Sequence, residues 1–423
     1  MRNIGMMQGE RGRLQVAVGF EGMGRPVERA AVAIIARDGD GEGSQIEELV
    51  SDASGRCEVV DLPAPPIDYS LVAGSPKPYA TYDLRVSAPG FEPTIIRDVQ
   101  ILPDVTAISN VELNPVGIQV QRVIEPPVQT ITILPHTLFG DFPPKIPEDE
   151  VKPLPAPTGF VVLDRVVVPE IIVVHDGRPD NPAAPRYYPL FRDYIKNVAS
   201  SEIYATWPLE SLRANILAII SFTLNRVFTE WYRGQGKNFT ITSSTQFDQA
   251  YIHGRNIFEE ISWVVDEIFN SYITRPDIRQ PLFAQYNDGR RVNNPGWLSQ
   301  WGSVDLANAG RSAIEILRHY YGANVYMDEA IKVAGVPQSF PGYALNIGAS
   351  GDKVRTIQNQ LNRISQNYPA LPKMAVDGVY GQNTADSVRK FQQIFNMPQT
   401  GVVDFATWYR ISHIYVAVTR MAD

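Results

Sequence analysis

The sequence predicts a multidomain α+β protein made of an N-terminal β-sandwich, a central α+β domain and a C-terminal bundle of three short helices. Three observations support this prediction. Short β-branched strands separated by turns fill the first quarter of the chain, proline is concentrated in residues 116–159, and helical apolar spacing dominates the remainder. The length of 423 residues accommodates three such parts.

The composition restricts the partners of the chain. Hydrophobic residues make up 44% and charged residues 20%, which is typical of globular proteins. The net charge of -8 repels phosphate groups, so we expect no nucleic-acid and no membrane partner. Cys57 is the single cysteine, which excludes an intramolecular disulfide and a cysteine-rich zinc site. Residues 1–13 carry charges and glycines in place of an apolar signal-peptide core, so we expect synthesis in a cytosol.

Residues 1–115 contain six segments that favour strands of an antiparallel sandwich: LQVAVGF, AAVAIIA, CEVVDL, YDLRVSA, PTIIRDVQI and ISNVELN. The stretches GRPVERAAVAII, SDASGRCEVVDLP and YDLRVSAPGFEP resemble the transthyretin-like, carboxypeptidase-regulatory type of domain. That resemblance implies a fold and not a function, because such sandwiches serve many purposes. We interpret this part as a pro-region.

Residues 116–159 contain nine prolines. Proline at this density lacks donors for a sheet ladder and favours an extended, semi-rigid chain. We therefore predict an exposed linker that a protease can cut.

Residues 160–335 form the predicted central domain. The apolar segments FVVLDRVVV and EIIVVH are expected as strands, and helices are expected over 190–203, 208–232 and 257–273 and through LANAGRSAIEILRHYYG.

The first of these helices places a carboxyl group at the end of an apolar row. Leu190, Tyr194 and Val198 lie four residues apart on one face, and Glu202 continues that row. A poorly solvated carboxyl has a raised pKa, which suits a general acid near neutral pH. The alternative is a surface glutamate at a frayed helix end.

Three ordered blocks carry a family resemblance: YIKNVASSEIYATWPLESLRANILAIISFTLNR, TSSTQFDQAY and PGWLSQWGSVDLANAGRSAIEILRHYYG. Together they resemble the SpoIID family of lytic transglycosylases, which implies that Glu202 is the catalytic acid and base. The residues that would contact the sugar are Tyr204, Trp207, Tyr286 and Trp301 as stacking rings, with Ser299, Gln300 and Gln246 as orienting groups. For each aromatic residue the alternative is ordinary core packing.

The mechanism that this resemblance implies needs one carboxylate. The acid protonates the leaving glycosidic oxygen, and the 6-hydroxyl of the same muramic acid attacks the anomeric carbon, which gives a 1,6-anhydro sugar. Intramolecular attack has a high effective molarity, so one placed glutamate suffices, whereas the common hydrolase plan uses two carboxylates.

The chain departs from the family pattern at two points. Ile220 stands where the family has an arginine, so a charge near the groove is either missing or supplied by Arg226. The loop in which some members carry a metal offers Asn287, Asn293 and Asn294, and the five histidines show no metal-ligand spacing. We therefore expect neither a metal nor another cofactor.

Residues 340–423 contain LNIGASGDKVRTIQNQLNRI and VDGVYGQNTADSVRKFQQIFNMPQTGVVDFATW. These segments resemble the peptidoglycan-binding type 1 domain, which implies peptidoglycan as partner. The residues predicted to contact the wall are Asp377, Tyr380, Thr384 and Gln392. The alternative is a helical scaffold that only spaces domains.

The order of the parts resembles that of clostridial spore cortex-lytic enzymes. This resemblance implies deposition in the spore cortex or coat by the mother cell, storage as a zymogen, and activation at germination by a subtilisin-like protease that cuts within 116–159. Two other functions stay open. One is an N-acetylmuramoyl-L-alanine amidase, which normally needs a metal-bound water, and the other is a non-catalytic spore wall adaptor.

Overall fold

The structure, a computed structural model, describes residues 10–20, 25–36, 43–116, 128–153, 166–332, 343–395 and 397–420. The prediction of a mixed α+β, multidomain chain with a helical C-terminal part is confirmed. Within these ranges, no helix has the length and apolarity needed to cross a membrane.

The N-terminal part consists of strands and one helical turn. They are β1 (Glu10–Phe20), β2 (Arg25–Pro26), β3 (Ala31–Ala36), β4 (Ser44–Val50), β5 (Val60–Ala64), α1 (Asp68–Leu71), β6 (Ala80–Ser87), β7 (Thr94–Ile101), β8 (Thr106–Glu112) and β9 (Gln129–Thr132). Strand β4 was missed because its residues SQIEELV are almost all exposed and show no apolar alternation.

A five-stranded sheet and four strands of a second sheet share one hydrophobic core in this part of the chain. One sheet runs β4-β3-β6-β7-β9, and β1 lies between β8 and β2 in the other, with β5 also on β1. Apolar alternation produces this packing, since Leu14, Val16 and Val18 of β1 point inward. The predicted antiparallel order holds for most pairs, but β1 with β8 and β7 with β9 are parallel.

The central part contains short strands around a group of helices. Its elements are β10 (Val167–Val168), β11 (Val174–His175), β12 (Arg186–Tyr187), α2 (Phe191–Glu202), α3 (Leu209–Phe228), a 3-10 turn (Arg233–Gln235), β13 (Ile241–Thr242), β14 (Ile257–Phe258), α4 (Glu259–Ile268), β15 (Ser271–Thr274), β16 (Tyr286–Asn287), β17 (Leu298–Ser299), α5 (Gln300–Asn308), α6 (Ala313–Tyr321), β18 (Tyr326–Glu329) and β19 (Ile331–Lys332).

Two helix predictions differ from these bounds. The predicted helix over 257–273 begins and ends in strands β14 and β15, so α4 is shorter. The predicted last helix is two, because Gly310 between α5 and α6 has a φ of 81° and Ser312 starts a new helix with a capping box to Glu315. Most of the predicted strand FVVLDRVVV lies outside the described residues.

The sandwich and the central part are joined by a shared sheet. Strand β14 pairs with β8, with Ile257 opposite Ile108. Asn256 also makes two hydrogen bonds to the backbone of Gln100, with distances of 2.9 and 3.0 Å. One continuous apolar cluster extends through both parts. The central helices are therefore packed against the sandwich in the intact chain.

In the described part of the proline-rich segment, residues 128–153, most side chains are exposed, but hydrogen bonds fasten the chain to the central part. After β9 it lies along the central helices, where the backbone N–H of Ile146 donates to the carbonyl of Gln246 at 2.7 Å. Lys152 is 3% exposed and exchanges hydrogen bonds with Gln280 at 2.9 and 3.0 Å. Prolines keep this chain extended, but distant polar groups hold it in place, which composition could not predict.

The C-terminal module consists of α7 (Asp352–Asn367), α8 (Gln382–Ile394) and α9 (Phe405–Arg420). These helices agree with the three predicted from apolar spacing. Their buried residues, including Val354, Leu361, Val388 and Phe391, form a core of their own.

Candidate functional site

Glu202 is the last residue of α2 and lies within the protein. Tyr194 and Val198 have no exposed surface and Glu202 is 3% exposed, so the predicted row faces inward along these three positions. Leu190 precedes the helix and is 46% exposed, so it does not belong to this row. The alternative of a surface carboxylate does not describe Glu202.

One carboxyl oxygen of Glu202 is held and the other is free. Oε1 accepts a hydrogen bond from the backbone N–H of Ala250 at 2.7 Å. Oε2 is buried and has no hydrogen-bond partner among the described residues. Burial raises the pKa of this carboxyl, while Lys145, the nearby Tyr286 hydroxyl and the Ala250 N–H oppose the rise. Glu202 therefore keeps its proton to higher pH than a solvated glutamate does, and the free oxygen can deliver that proton.

A cavity of about 270 Å³ lies next to Glu202. It brings Glu202 together with Tyr286 and Gln300, and residues 141–145 line another part of it. The side-chain amide of Gln300 donates to the carbonyl of Glu202 at 3.1 Å. The Tyr286 hydroxyl and both amide atoms of Asn287 are buried without partners among the described residues. Buried polar atoms are nearly always paired, so these atoms mark a place where a ligand would complete the hydrogen bonding.

The predicted rings Tyr204, Trp207 and Trp301 form an aromatic cluster, with ring centroids 5.0 to 6.1 Å apart. All three are buried. The indole N–H of Trp207 donates to the carbonyl of Ser70 in α1 at 2.8 Å, so the sandwich covers this cluster. Tyr204 and Trp301 line a second cavity, of about 630 Å³, beside residues 72–76 of the sandwich. In the intact chain the sandwich therefore covers Trp207 and forms part of the cavity wall beside Tyr204 and Trp301.

Two predicted orienting residues lie outside the lining of the Glu202 cavity. The hydroxyl of Ser299 accepts a hydrogen bond from the N–H of Gly302 at 2.9 Å and caps α5. The side-chain oxygen of Gln246 accepts from Arg178 at 2.9 Å. The structure thus gives Ser299 a structural role and does not bring Gln246 to Glu202.

Two other carboxylates near the cavity are fully engaged. Asp248 is completely buried and pairs with Arg226 at 2.8 Å through one oxygen, while the other accepts from Tyr232 and Thr242. Asp288 accepts from successive backbone N–H groups of its own turn and pairs with Arg291 at 2.6 Å. These hydrogen bonds lower the pKa of Asp288, so it stays ionised.

Arg226 does not supply a charge to the groove. It is 1% exposed and bonds Glu148 at 2.5 Å as well as Asp248. The alternative that Arg226 supplies the family's groove charge is wrong, because its guanidinium is already paired with Glu148 and Asp248.

The segment 136–152, which we call the strap, contains the main feature that sequence reasoning missed. Lys145 of the strap lines the same cavity as Glu202. Its ammonium donates to the carbonyl oxygen of Asp248, and it lies 4.4 and 4.6 Å from the ring centroids of Tyr286 and Phe222. A lysine between prolines carries no sequence signal for such a position.

Metal ligation finds no support in the described ranges, where no group of three or more His, Cys, Asp or Glu side chains could hold an ion.

The C-terminal module is built around two equivalent glutamine side chains, which we call the amide clasps. Gln358 makes four hydrogen bonds, to the Asp377 carboxylate, the Val379 carbonyl, the Thr384 hydroxyl and the Gly378 N–H. Gln392 repeats this pattern with the Thr400 hydroxyl, the Val402 carbonyl, the Thr407 hydroxyl and the Gly401 N–H. Each clasp fixes a turn to the helix that carries the glutamine.

The clasps correct the predicted wall contacts. Tyr380, Thr384 and Gln392 are at most 2% exposed, and the Tyr380 hydroxyl donates to the carbonyl of Gly401 at 3.0 Å. Side chains buried in this way hold the module together and do not reach a glycan at its surface. Among the four predicted residues, Asp377 is exposed.

Comparison with known proteins identifies the C-terminal module. Residues 350–411 match the family described as putative peptidoglycan binding domain. The chain therefore carries a peptidoglycan-binding domain, and peptidoglycan is the partner that this domain indicates. No protein of curated function matches the chain.

Solved structures give local similarities. The SleB N-terminal domain is 30% identical, and the match covers 17% of this chain and 93% of that one, with a TM-score of 0.15. The TIE protein of Bacillus anthracis is 12% identical over 25% of this chain and 17% of that one, with a TM-score of 0.18. The minor pilin GBS52 of Streptococcus agalactiae is 16% identical over 27% and 49% of the two chains, with a TM-score of 0.19.

Proposed function

We propose that this chain is a spore cortex-lytic enzyme that cleaves peptidoglycan glycan strands as a lytic transglycosylase, with Glu202 as acid and base. The observation that carries the proposal is the state of the carboxylates at the cavity. Glu202 is the buried carboxylate at the cavity with an unpaired oxygen, whereas Asp248 and Asp288 are saturated with hydrogen bonds, and Asp141, which also lines the cavity, is exposed on the strap.

This arrangement supplies one working carboxyl group, as an intramolecular mechanism requires. Oε2 of Glu202 protonates the glycosidic oxygen, and the bond from that oxygen to the anomeric carbon breaks. The 6-hydroxyl oxygen of the muramic acid forms a new bond to the same carbon, and the glutamate takes the proton of that hydroxyl. The products are a 1,6-anhydromuramic end and a free sugar hydroxyl. A hydrolase with two carboxylates would need a second acidic group that the engaged Asp248 and Asp288 do not provide, and Asp141 would leave the cavity when the strap is released.

The substrate class follows from the module at the end of the chain. A peptidoglycan-binding domain at residues 350–411 keeps the enzyme on the wall, which raises the local concentration of glycan strands at the cavity. The motif blocks around Glu202 resemble the SpoIID family, and the order of parts resembles the clostridial spore cortex-lytic enzyme SleC. Both resemblances support the same reaction, and the second supports a location in the spore cortex or coat.

The chain is proposed to be a zymogen. In the intact chain the strap lines the cavity at Glu202, and the sandwich covers Tyr204, Trp207 and Trp301. Cleavage by a subtilisin-like protease within 116–159 would separate the sandwich from the central part and let these covers leave. The stacking role of the aromatic cluster belongs to that processed state.

The decisive experiment is digestion of purified spore cortex by the chain before and after nicking with subtilisin, followed by analysis of the products. We expect 1,6-anhydromuramic ends from the nicked protein, far less release from the intact chain, and loss of about 10³-fold or more in the nicked Glu202→Gln variant. The matched control is Glu210→Gln, an identical change in the same sequence block, because Glu210 binds Arg213 and the N–H of Ala313 away from the cavity.

Other products would point to the other functions. Freed peptide side chains would identify an amidase, and binding without cleavage a wall adaptor. Equal activity of the intact and nicked chains would contradict the zymogen.

A further inference from the structure

The strap is fastened to the central part on both sides of the cavity. On one side, Arg291 donates to the carbonyls of Thr137 and Gly140 at 2.6 and 2.7 Å. On the other, Glu148 bonds the buried Arg226, and Glu150 bonds Arg275 at 2.5 and 3.0 Å. Lys145 lies between these two groups of contacts, where the strap crosses the cavity.

Lys145 is enclosed by two aromatic rings and a backbone carbonyl, and none of these groups carries a formal charge that would pair with its ammonium. Its charge acts on Glu202 through space. Burial lowers the pKa of Lys145, while Glu202 and Asp248 oppose that change. A buried cation is costly unless charge and hydrogen bonds compensate it, and here the compensation comes from the candidate catalytic carboxylate.

We propose that Lys145 is the inhibitory group of this site, with its ammonium placed beside Glu202 where the reacting sugar ring develops positive charge. The inference rests on the proposed function and specifies its regulation. Glycosidic cleavage passes through an oxocarbenium-like transition state, whose charge a carboxylate and an aromatic face stabilise. Lys145 offers the positive charge of its ammonium to the same two partners, Glu202 and Tyr286.

The ammonium also acts on the proton that catalysis needs. The titratable groups that act on Glu202 are Lys145 from the strap, Tyr286 from β16 and Tyr194 from α2, and the charged side chains of Asp141, Asp288 and Arg291 line the same cavity. Of these, Lys145 is the cation that acts on Glu202; it favours the ionised carboxylate and so limits the rise in pKa that burial causes. Release of the strap would open the cavity and let the pKa of Glu202 rise further.

The inhibitory contact at Glu202 is made by the strap and not by the sandwich. The sandwich covers the aromatic cluster, whereas the strap alone brings a charge to Glu202. A protein that keeps its sandwich but lacks the Lys145 charge would have a partly released site.

The test uses full-length chains that carry Lys145→Met, Lys145→Glu or Lys152→Met. Lys152→Met is the matched control, because it removes a buried strap lysine whose ammonium binds Glu148 and lies over Trp231 and Phe283. We expect un-nicked Lys145→Met to release cortex fragments at least about 10-fold faster than wild type, and Lys145→Glu faster still, because like charges repel the strap. Lys152→Met should stay near wild type.

A second measurement does not depend on cleavage. Carbodiimide coupling modifies protonated carboxyl groups, and mass spectrometry of the peptide that contains Glu202 reports the extent at each pH. Labelling of Glu202 should persist to higher pH in Lys145→Met than in wild type, and Lys152→Met should not change it.

The outcomes separate the two proposals. If nicked wild type cleaves cortex but un-nicked Lys145→Met stays as silent as wild type, the inhibitory role of Lys145 is overturned. Equal activation by Lys152→Met would overturn it too, since loosening of the strap would then suffice. If no form cleaves cortex, the proposed function fails, and an unchanged pH dependence of Glu202 labelling would then reject the contact as well.

Discussion

In the C-terminal module each buried glutamine amide makes four hydrogen bonds, whereas beside Glu202 buried polar atoms of three residues make none. The two regions have the same kind of side chains in opposite states. In the module every donor and acceptor of the Gln392 side chain is hydrogen-bonded within the protein, so none is available to a ligand. At the cavity, Glu202, Tyr286 and Asn287 keep unpaired atoms, which costs stability and leaves them available to a ligand.

Loss of a clasp should have the largest effect on stability. Gln392→Leu removes four hydrogen bonds, leaves the N–H of Gly401 buried without a partner and leaves the carbonyl of Val402 with the distant Thr400 hydroxyl alone. We expect a loss of about 2–4 kcal/mol in the local stability of the module. Hydrogen exchange of the peptides around α8 and α9, measured by mass spectrometry, would show it.

The neighbouring Gln393→Leu is the control, because Gln393 is exposed and bonds only Lys390 among the described residues. Similar exchange in both variants would break the contrast, since the amide of Gln392 would then contribute no more than a surface amide.

Glu202→Gln should change stability in the opposite direction. Burial holds the pKa of Glu202 above its value in the unfolded chain. The wild type therefore has its full stability from this group below the unfolded pKa and loses it as the pH rises through the folded pKa. The amide does not titrate. Between pH 4 and pH 8 the free energy of unfolding of the variant should therefore increase relative to that of wild type by on the order of 1 kcal/mol.

Denaturant midpoints at the two pH values test this, with the exposed Glu329→Gln as control for the loss of one negative charge. If the stability of Glu202→Gln falls relative to wild type as the pH rises, burial does not raise the pKa of Glu202.

The position of Glu202 could be predicted because it depends on local spacing. Tyr194, Val198 and Glu202 are separated by single helical turns, and the helix rule places them on one face wherever the helix packs. The three helices of the module follow from apolar spacing for the same reason.

Other features depend on contacts between distant parts of the chain. Lys145 reaches its carbonyl partner across 103 positions, and Trp207 reaches Ser70 across 137. No local pattern encodes such contacts. The motif residues Thr384 and Gln392 were misassigned for a related reason, because a motif records that a side chain is needed and does not tell whether folding or binding needs it.

Tyr286→Phe should have the smallest effect of the three changes, and it tests directly how the Tyr286 hydroxyl influences the pKa of Glu202. The Tyr286 hydroxyl lies close enough to Glu202 to stabilise the ionised carboxylate as a donor, although the contact does not reach full hydrogen-bond geometry. Without that hydroxyl the pKa of Glu202 should rise further, so the acid stays protonated to higher pH. The alkaline limb of kcat/KM for the nicked protein should therefore move to higher pH by less than about one unit.

Tyr272→Phe is the control, since the Tyr272 hydroxyl bonds Asp328 on another sheet, and the alkaline limb of this variant should not move. A limb that moves to lower pH in Tyr286→Phe would show that the hydroxyl holds the protonated acid, and the unpaired state of these atoms would then be a property of the intact chain alone.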